Sequence, residues 1–171
     1  MFLDGISFRQ AVLNDVNFLF TFLNAAYRGD SAREGWTFES DLVGGPRITP
    51  EEISEILSKE KESFLLALSN NNIVGCVQLV DEGDELYFGM IAVDPKMQNQ
   101  KIGAKILEEI DRRARLQNKS RVRLVVIHTR NELIAFYERR GFRPTGDSSE
   151  FPMEYPAKIP GLRLLEMKKT L

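Results

Sequence analysis

A mixed α/β fold, with a largely antiparallel central sheet of six to seven strands flanked by helices, is predicted for residues 1–171 as one domain. Three observations predict it. Strand-like and helix-like hydrophobic periods follow one another in the order β-α-α-β-β-β-α-β-α-β-β. The three consecutive central strands are separated by short, strong turn sequences, which makes them an antiparallel meander. No linker or internal repeat interrupts the chain.

Ile6-Ser7-Phe8-Arg9 alternates apolar and polar residues, as a half-buried strand does. Asn14 is positioned to cap a helix whose apolar residues include Val16, Leu19, Phe20, Leu23 and Tyr27. From Arg28 to Ile48 the chain is irregular, with four glycines and the only tryptophan, Trp36. Loops of this length are usually functional or mobile. Thr49-Pro50-Glu51-Glu52 reads as a capping box with proline at the first helical position, opening a short helix that carries Ile53, Ile56 and Leu57.

The meander comprises Phe64–Leu68, Ile73–Val80 and Leu86–Val93, joined by Asn70-Asn71-Asn72 and Asp81-Glu82-Gly83-Asp84. After Asp94-Pro95 a loop leads to a helix from about Ile102 to Gln117, with Ile106, Leu107, Ile110 and Ala114 on one face. Val122–Ile127 is a short β-branched strand. Asn131 is expected to cap a helix carrying Leu133, Phe136 and Tyr137, closed by Gly141 in a left-handed conformation. Phe142–Pro144 and Leu162–Met167 complete the strands.

Composition narrows the function. A single cysteine, Cys76, excludes an internal disulfide framework and reads as inert core in a reducing compartment. With one histidine, His128, the usual zinc sites are implausible, and no metal is expected. Apolar stretches fall short of a membrane span, and Met1-Phe2-Leu3-Asp4 lacks a basic segment leading into an apolar one. The expectation is a cytoplasmic protein without membrane contact.

The net charge of −2 hides a division. Lys96 to Arg143 holds thirteen bases and five acids, a balance of +8, and the remainder holds ten bases and twenty acids, −10. One reading is two solvated faces. The sharper one is a cationic wall for an anionic ligand opposite an acidic wall, with a cationic acceptor such as a small amine, amino acid, polyamine or peptide amino group. Nucleic acid is not expected, because no aromatic-rich strand motif or helix-turn-helix pattern is present.

The segment Val93-Asp94-Pro95-Lys96-Met97-Gln98-Asn99-Gln100-Lys101-Ile102-Gly103-Ala104 ends a strand, turns and starts a helix. Backbone N–H groups at a helix start cradle phosphate, Gly103 permits close approach, and Lys96, Lys101 and Lys105 add positive charge. Pyrophosphate is the expected ligand, although one glycine also fits an ordinary strand-loop-helix connection. A second segment, Asn131-Glu132-Leu133-Ile134-Ala135-Phe136-Tyr137-Glu138-Arg139-Arg140-Gly141-Phe142, follows the next strand.

With both segments in order, the chain resembles the GNAT superfamily of N-acetyltransferases. Its acetyl-CoA loop runs Val-x-Pro-x-x-(Gln/Arg)-x-x-Gly-x-(Gly/Ala), followed later by Asn-x-x-x-x-x-Tyr-x-x-x-Gly-Phe. Val93, Pro95, Gln98, Gly103, Asn131, Tyr137, Gly141 and Phe142 match. Two positions depart: Lys101 stands at the first loop glycine, and Asn99 follows the Gln/Arg position where glycine is common.

The resemblance implies a GNAT-like acyl-CoA N-acyltransferase fold and direct transfer of an acetyl group from acetyl-CoA to a primary amine of a small molecule, amino acid or peptide. The alternative is a non-catalytic CoA-binding sensor or interaction module. It implies that amides from Gln98, Asn99, Gln100, Lys101, Ile102, Gly103 and Ala104 hold pyrophosphate, that pantetheine pairs with the strand edge from Ile91 to Val93, and that Asn131 contacts the cofactor or only caps its helix. Tyr137 becomes the proton donor to the leaving thiolate, against a purely packing role beside Leu133 and Phe136. Glu85 falls where several members carry an acid acting through water, and is equally the last charge of an acidic turn. His128 is a second candidate base. Tyr27, Trp36 and Glu39, with Phe151-Pro152 opposite, fall on the acceptor side. Dimers are common in the family, so a homodimer is a possible assembly.

Overall fold

β3 (Glu62–Ser69), β4 (Asn72–Glu82) and β5 (Glu85–Val93) form the expected antiparallel meander in a computed structural model that describes residues 2–3, 5–28, 41–152 and 156–171. Asn70 and Asn71 both take left-handed backbone, with φ of 49° and 65°, which suits the twist of a tight hairpin. On one side β3 pairs with β2 (Ile6–Gln10), which is flanked by the two-residue β1 (Phe2–Leu3). On the other side β5 runs parallel to β6 (Arg121–Ile127), and β8 (Arg163–Thr170) and β7 (Arg143–Glu150) complete the sheet in the order β1-β2-β3-β4-β5-β6-β8-β7.

Four helices flank it: α1 (Val16–Arg28), α2 (Pro50–Ser58), α3 (Ile102–Leu116) and α4 (Asn131–Glu138). Both sheet faces are covered, so the central strands are mostly apolar on both faces. Leu65, Ala67, Phe88 and Leu124 join Ile102, Ile106, Ile110 and Tyr137 in one core. Phe64, Leu66, Cys76 and Ala92 join Leu19, Leu23 and Ile53 in the other. Each of the buried Leu, Ile and Phe side chains among them contributes about 1.5–3 kcal/mol relative to exposure. Cys76 is fully buried.

The cap of α2 forms as its sequence predicts: Thr49 Oγ1 accepts from Glu52 N–H (3.2 Å) and Glu52 Oε2 accepts from Thr49 N–H (2.8 Å). Two expected caps are corrected. At α1 a 3-10 turn, Leu13–Asp15, intervenes, and the carboxylate of Asp15 rather than Asn14 accepts from Val12 N–H (2.8 Å) while Arg9 grips both of its oxygens (2.8 and 2.9 Å). At α4 Arg130 takes the cap position without a side-chain bond, and Asn131 is the first helical residue, exposed. Phe20, expected on the inner face of α1, is 37% exposed.

β7 extends well beyond Phe142–Pro144. Its Thr145–Glu150 half is exposed throughout, so backbone pairing with β8, and no apolar alternation, makes it a strand.

Candidate active site

β5 and β6 are joined by three rungs only, Glu85↔Arg121, Leu86↔Val122 and Tyr87↔Arg123, and then part. A bulge drives the parting. Between the pairs Gln78↔Gly89 and Cys76↔Ala92, β5 holds two residues, Met90 and Ile91, against one on β4. Met90 takes a left-handed φ of 47°, uncommon for a residue with a long side chain. The extra residue bends β5 away, while β6 stays paired to β8.

The gap between the two strands is a cavity of about 320 Å³. Its walls include Phe88 to Ile91 of β5, Leu124 to Ile127 of β6, Leu133 and Tyr137 of α4, and Tyr27 and Arg28 of α1. Phe151 and Pro152 line it too. Thus Tyr27, Ile91, Tyr137, Phe151 and Pro152, far apart in the chain, meet at one site, as the sequence motifs lead one to expect.

Tyr137 is 3% exposed and packs edge-on against Phe88, Phe136 and Phe142, with ring centroids 5.9, 5.4 and 5.8 Å away. Its hydroxyl has no hydrogen-bond partner among the described residues. Burial pushes the phenol above its ordinary range, so it keeps its proton. The packing and hydroxyl readings of Tyr137 are therefore compatible: the ring is core and the residue lines the cavity.

Tyr27 reaches across from α1, and its hydroxyl donates to the Ile91 carbonyl at 2.5 Å. Part of the strand edge expected to meet pantetheine is therefore already engaged by the protein. Val93 is buried in the main core, and its backbone pairs with Gly75.

Beyond Val93 the chain forms a 3-10 segment, Pro95–Gln100, in which Asp94 accepts from Lys96 N–H (3.0 Å), and then enters α3. The first helical N–H groups, those of Ile102, Gly103 and Ala104, have no acceptor four residues back within the helix; the ladder begins with Lys105 N–H to Lys101 O (3.1 Å). Lys101 itself sits at φ 58°, ψ 23°. It thus adopts the left-handed backbone that a loop glycine would take, and this falls at Lys101 rather than at Asn99. Gln100 makes its side-chain contact with Met97 Sδ (3.4 Å). The side chains of Gln98 and Asn99, like Trp36 and Glu39, lie outside the described residues.

Glu85 does not line the cavity. It sits at the closed end of the β5–β6 pair, where its carboxylate accepts from Lys168 Nζ (2.8 Å) and pairs with Arg121 (3.0 Å). The Lys168 bond holds its pKa below the usual carboxylate range, the opposite of what a base for an ammonium needs. The reading of Glu85 as an acidic-turn charge is the one the geometry supports. His128 is likewise structural: its Nδ1 accepts from Arg163 N–H (3.1 Å), tying the end of β6 to the start of β8.

The charge division also resolves differently from two opposed walls. The bases of residues 119–123 pair with acids of residues 81–85: Lys119 with Asp81, Arg121 with Glu85, and Arg123 with Glu82 (2.8 Å). Arg112 and Arg113 pair with the fully buried Glu109. Lys119, Arg121 and Arg123 are therefore halves of ion pairs that bridge the two charge blocks, whereas Glu109, Arg112 and Arg113 all lie in the basic one. The charged residues that do line the cavity among the described residues are Arg28, Arg47 and Arg130. None of the three was singled out from sequence, because an isolated arginine in an irregular loop or at a helix end carries no pattern. Tyr87 and Gln78 also line the cavity unforeseen.

Among the described residues no group of three or more His, Cys, Asp or Glu could hold a metal ion, and no helix is long and apolar enough to cross a membrane.

The sequence and the fold that carry this cleft have counterparts among known proteins. Residues 37–171 match the family described as Acetyltransferase (GNAT) domain, and the chain belongs to that family. Two Bacillus subtilis proteins, the uncharacterized proteins YdhI and YxbD, are 25% and 27% identical over 84 residues, 49% of this chain. The chain spans about half the length of these curated relatives (51% and 52%). Ard1 from Thermoplasma volcanium superposes with a TM-score of 0.75 at 17% identity, over 98% of both chains. The ribosomal-protein-S18-alanine N-acetyltransferase of Escherichia coli superposes with 0.70 at 15% identity, over 96% of this chain and 93% of that one. At such identities the likeness is one of fold.

Proposed function

We propose that this protein is an N-acetyltransferase that moves an acetyl group from acetyl-CoA directly to a primary amine of a small molecule, amino acid or peptide. The observation that carries the reading is the buried Tyr137, its hydroxyl without a partner among the described residues, on the wall of the cavity where β5 and β6 part.

The site fits the co-substrate at two places. The N–H groups of Ile102, Gly103 and Ala104, which precede the helical ladder at the positive end of α3, suit pyrophosphate, with Lys101 beside them. The unpaired edge of β5 past Tyr87 suits an extended amide-bearing arm, with Tyr27 fixing the path of that edge. When bound, acetyl-CoA supplies the activated thioester. Tyr137 then keeps a proton at its hydroxyl, held there by burial, and donates it toward the departing sulfur. The apolar lining, Leu124, Val126 and Leu133 among it, excludes water that would hydrolyse the thioester. No side chain is assigned as nucleophile, since direct attack by the amine needs none.

The test is release of free CoA thiol from acetyl-CoA in the presence of a panel of primary amines. Amine-dependent release, with the acetylated amine recovered, is the expected result. Tight CoA binding with no acetylated product from any amine would overturn the reading in favour of a non-catalytic CoA-binding module.

A further inference from the structure

The polar groups of the cavity are not evenly spread. Arg28 and Arg47 lie at the Tyr27 end, and Arg130, at the start of α4, bears on Tyr137 at the other. Arg47 is braced by an aromatic ring: its guanidinium lies over the Tyr27 ring, 5.2 Å from the centroid. Its backbone N–H donates to Asn24 Oδ1 (2.6 Å), which ties the loop to α1. Arg28 Nε donates to the carbonyl of Gly45 (3.1 Å), drawing the same loop against the end of α1. Each of the three arginines has further interactions, and what they share is the positive charge they bring to the lining. No Asp or Glu lines the cavity among the described residues.

We infer that the acceptor carries a carboxylate next to its amine, as a free amino acid does, and that Arg47 and Arg28 hold this carboxylate while the amine faces the Tyr137 end. The inference rests on the acetyl-transfer reading above and narrows its acceptor. It replaces the cationic acceptor that overall charge balance suggests, because the charged side chains that line the cavity among the described residues are arginines. A guanidinium offers two parallel N–H donors that match a carboxylate, and Arg47, braced by Tyr27, loses little freedom on binding. Apolar walls from Phe151, Pro152 and Leu164 favour an acceptor with an apolar side chain.

Matched acceptors test this: an amino acid, its amide, and the amine lacking the carboxyl group, for example leucine, leucinamide and 3-methylbutylamine, run across a range of side chains. The best amino acid should exceed its amide in kcat/KM by about 10- to 100-fold, the range for one charge-assisted hydrogen-bonded contact. Arg47→Gln should narrow that ratio toward one, Arg47→Lys should keep part of it, and Arg28→Gln should narrow it as well. Tyr137→Phe should slow both acceptors and leave the ratio intact. Amides or decarboxylated amines that turn over as well as the acids would overturn the carboxylate clamp and leave acetyl transfer standing. An Arg47→Gln variant that slows acid and amide alike would do the same. If no amine of any class is acetylated, the transfer reading itself fails, and the clamp with it.

Discussion

The hydroxyl of Tyr27 donates to the carbonyl of Ile91 at 2.5 Å, joining the last turn of α1 to β5 where that strand bends off its neighbour. One hydrogen bond thus links the acceptor side of the cavity to the strand edge proposed to carry the acyl arm. Tyr27→Phe keeps the ring under Arg47 and removes this tie. Stability should fall by about 0.5–1.5 kcal/mol, read from urea unfolding. Because the freed Ile91 carbonyl and its strand edge lose their anchor, the KM for acetyl-CoA should also change, and an unchanged KM would show that the bond serves α1 alone.

Tyr137→Phe separates chemistry from packing. The ring contacts with Phe88, Phe136 and Phe142 persist, and the lost hydroxyl has no protein partner among the described residues, so stability should shift by less than about 1 kcal/mol. The kcat should fall by roughly 10- to 100-fold, because a thiolate is already a fair leaving group near neutral pH. With its pKa raised above the ordinary phenol value of ~10, the native tyrosine stays protonated through pH 9. Its catalytic contribution should therefore show no alkaline loss between pH 6 and 9, measured as the ratio of native to variant kcat.

Lys101 holds a left-handed conformation that costs a residue bearing Cβ about 1–2 kcal/mol, whereas glycine there loses about 0.5–1 kcal/mol through its freer unfolded chain. Lys101→Gly should leave stability level or raise it by up to about 1 kcal/mol in denaturant titration. Lys101→Glu keeps the backbone restriction and reverses the charge beside the helix start. It should weaken CoA binding by about tenfold or more in calorimetry if Lys101 meets a phosphate. A Glu variant that binds as well as the parent places that ammonium in solvent.

The pairing of Asp15 with Arg9 predicts a pH effect on stability. The hydrogen bonds from Arg9 hold the Asp15 pKa below its ordinary value. Its contribution is then complete above the unfolded value near ~3.9 and is lost as pH falls through the lowered folded value. Asp15→Asn should cost about 1–2 kcal/mol at pH 7, toward the low end because Arg9 is 43% exposed, and should flatten the acid limb of the stability profile below pH 4. Parallel acid limbs in both proteins would contradict this.

Legibility in the sequence followed the local or distributed nature of each feature. The meander was legible because Asn70-Asn71 and Gly83 supply the left-handed backbone that tight turns need. The Thr49–Glu52 box was legible because both partners lie within one turn. The caps at Asn14 and Asn131 were misplaced by one residue, where Asp15 is recruited by Arg9 of the preceding strand and Asn131 simply begins the helix. Tyr137, from the family motif, and Ile91, from what the resemblance implies for the strand edge, both line the cavity. Arg28, Arg47 and Arg130 were not legible, because what makes them matter is that three separate segments converge on one cavity. Glu85 was misleading for a related reason: its partner Lys168 lies 83 residues away, and only the folded sheet reveals that the carboxylate is already committed.

The three-rung join between β5 and β6 has a dynamic consequence. Five strands lie on one side of it and three on the other, and among the described residues β5 and β6 make no further pair past Tyr87↔Arg123. The ion pairs of Glu85 with Lys168 and Arg121, and of Arg123 with Glu82, gather at that narrow join. Strands β6 to β8 should therefore open as a cooperative unit of their own, seen as a group of amides with a shared hydrogen-exchange rate distinct from that of β3 and β4. Raising the ionic strength, which screens the exposed members of those pairs, should speed exchange in that group more than in the meander.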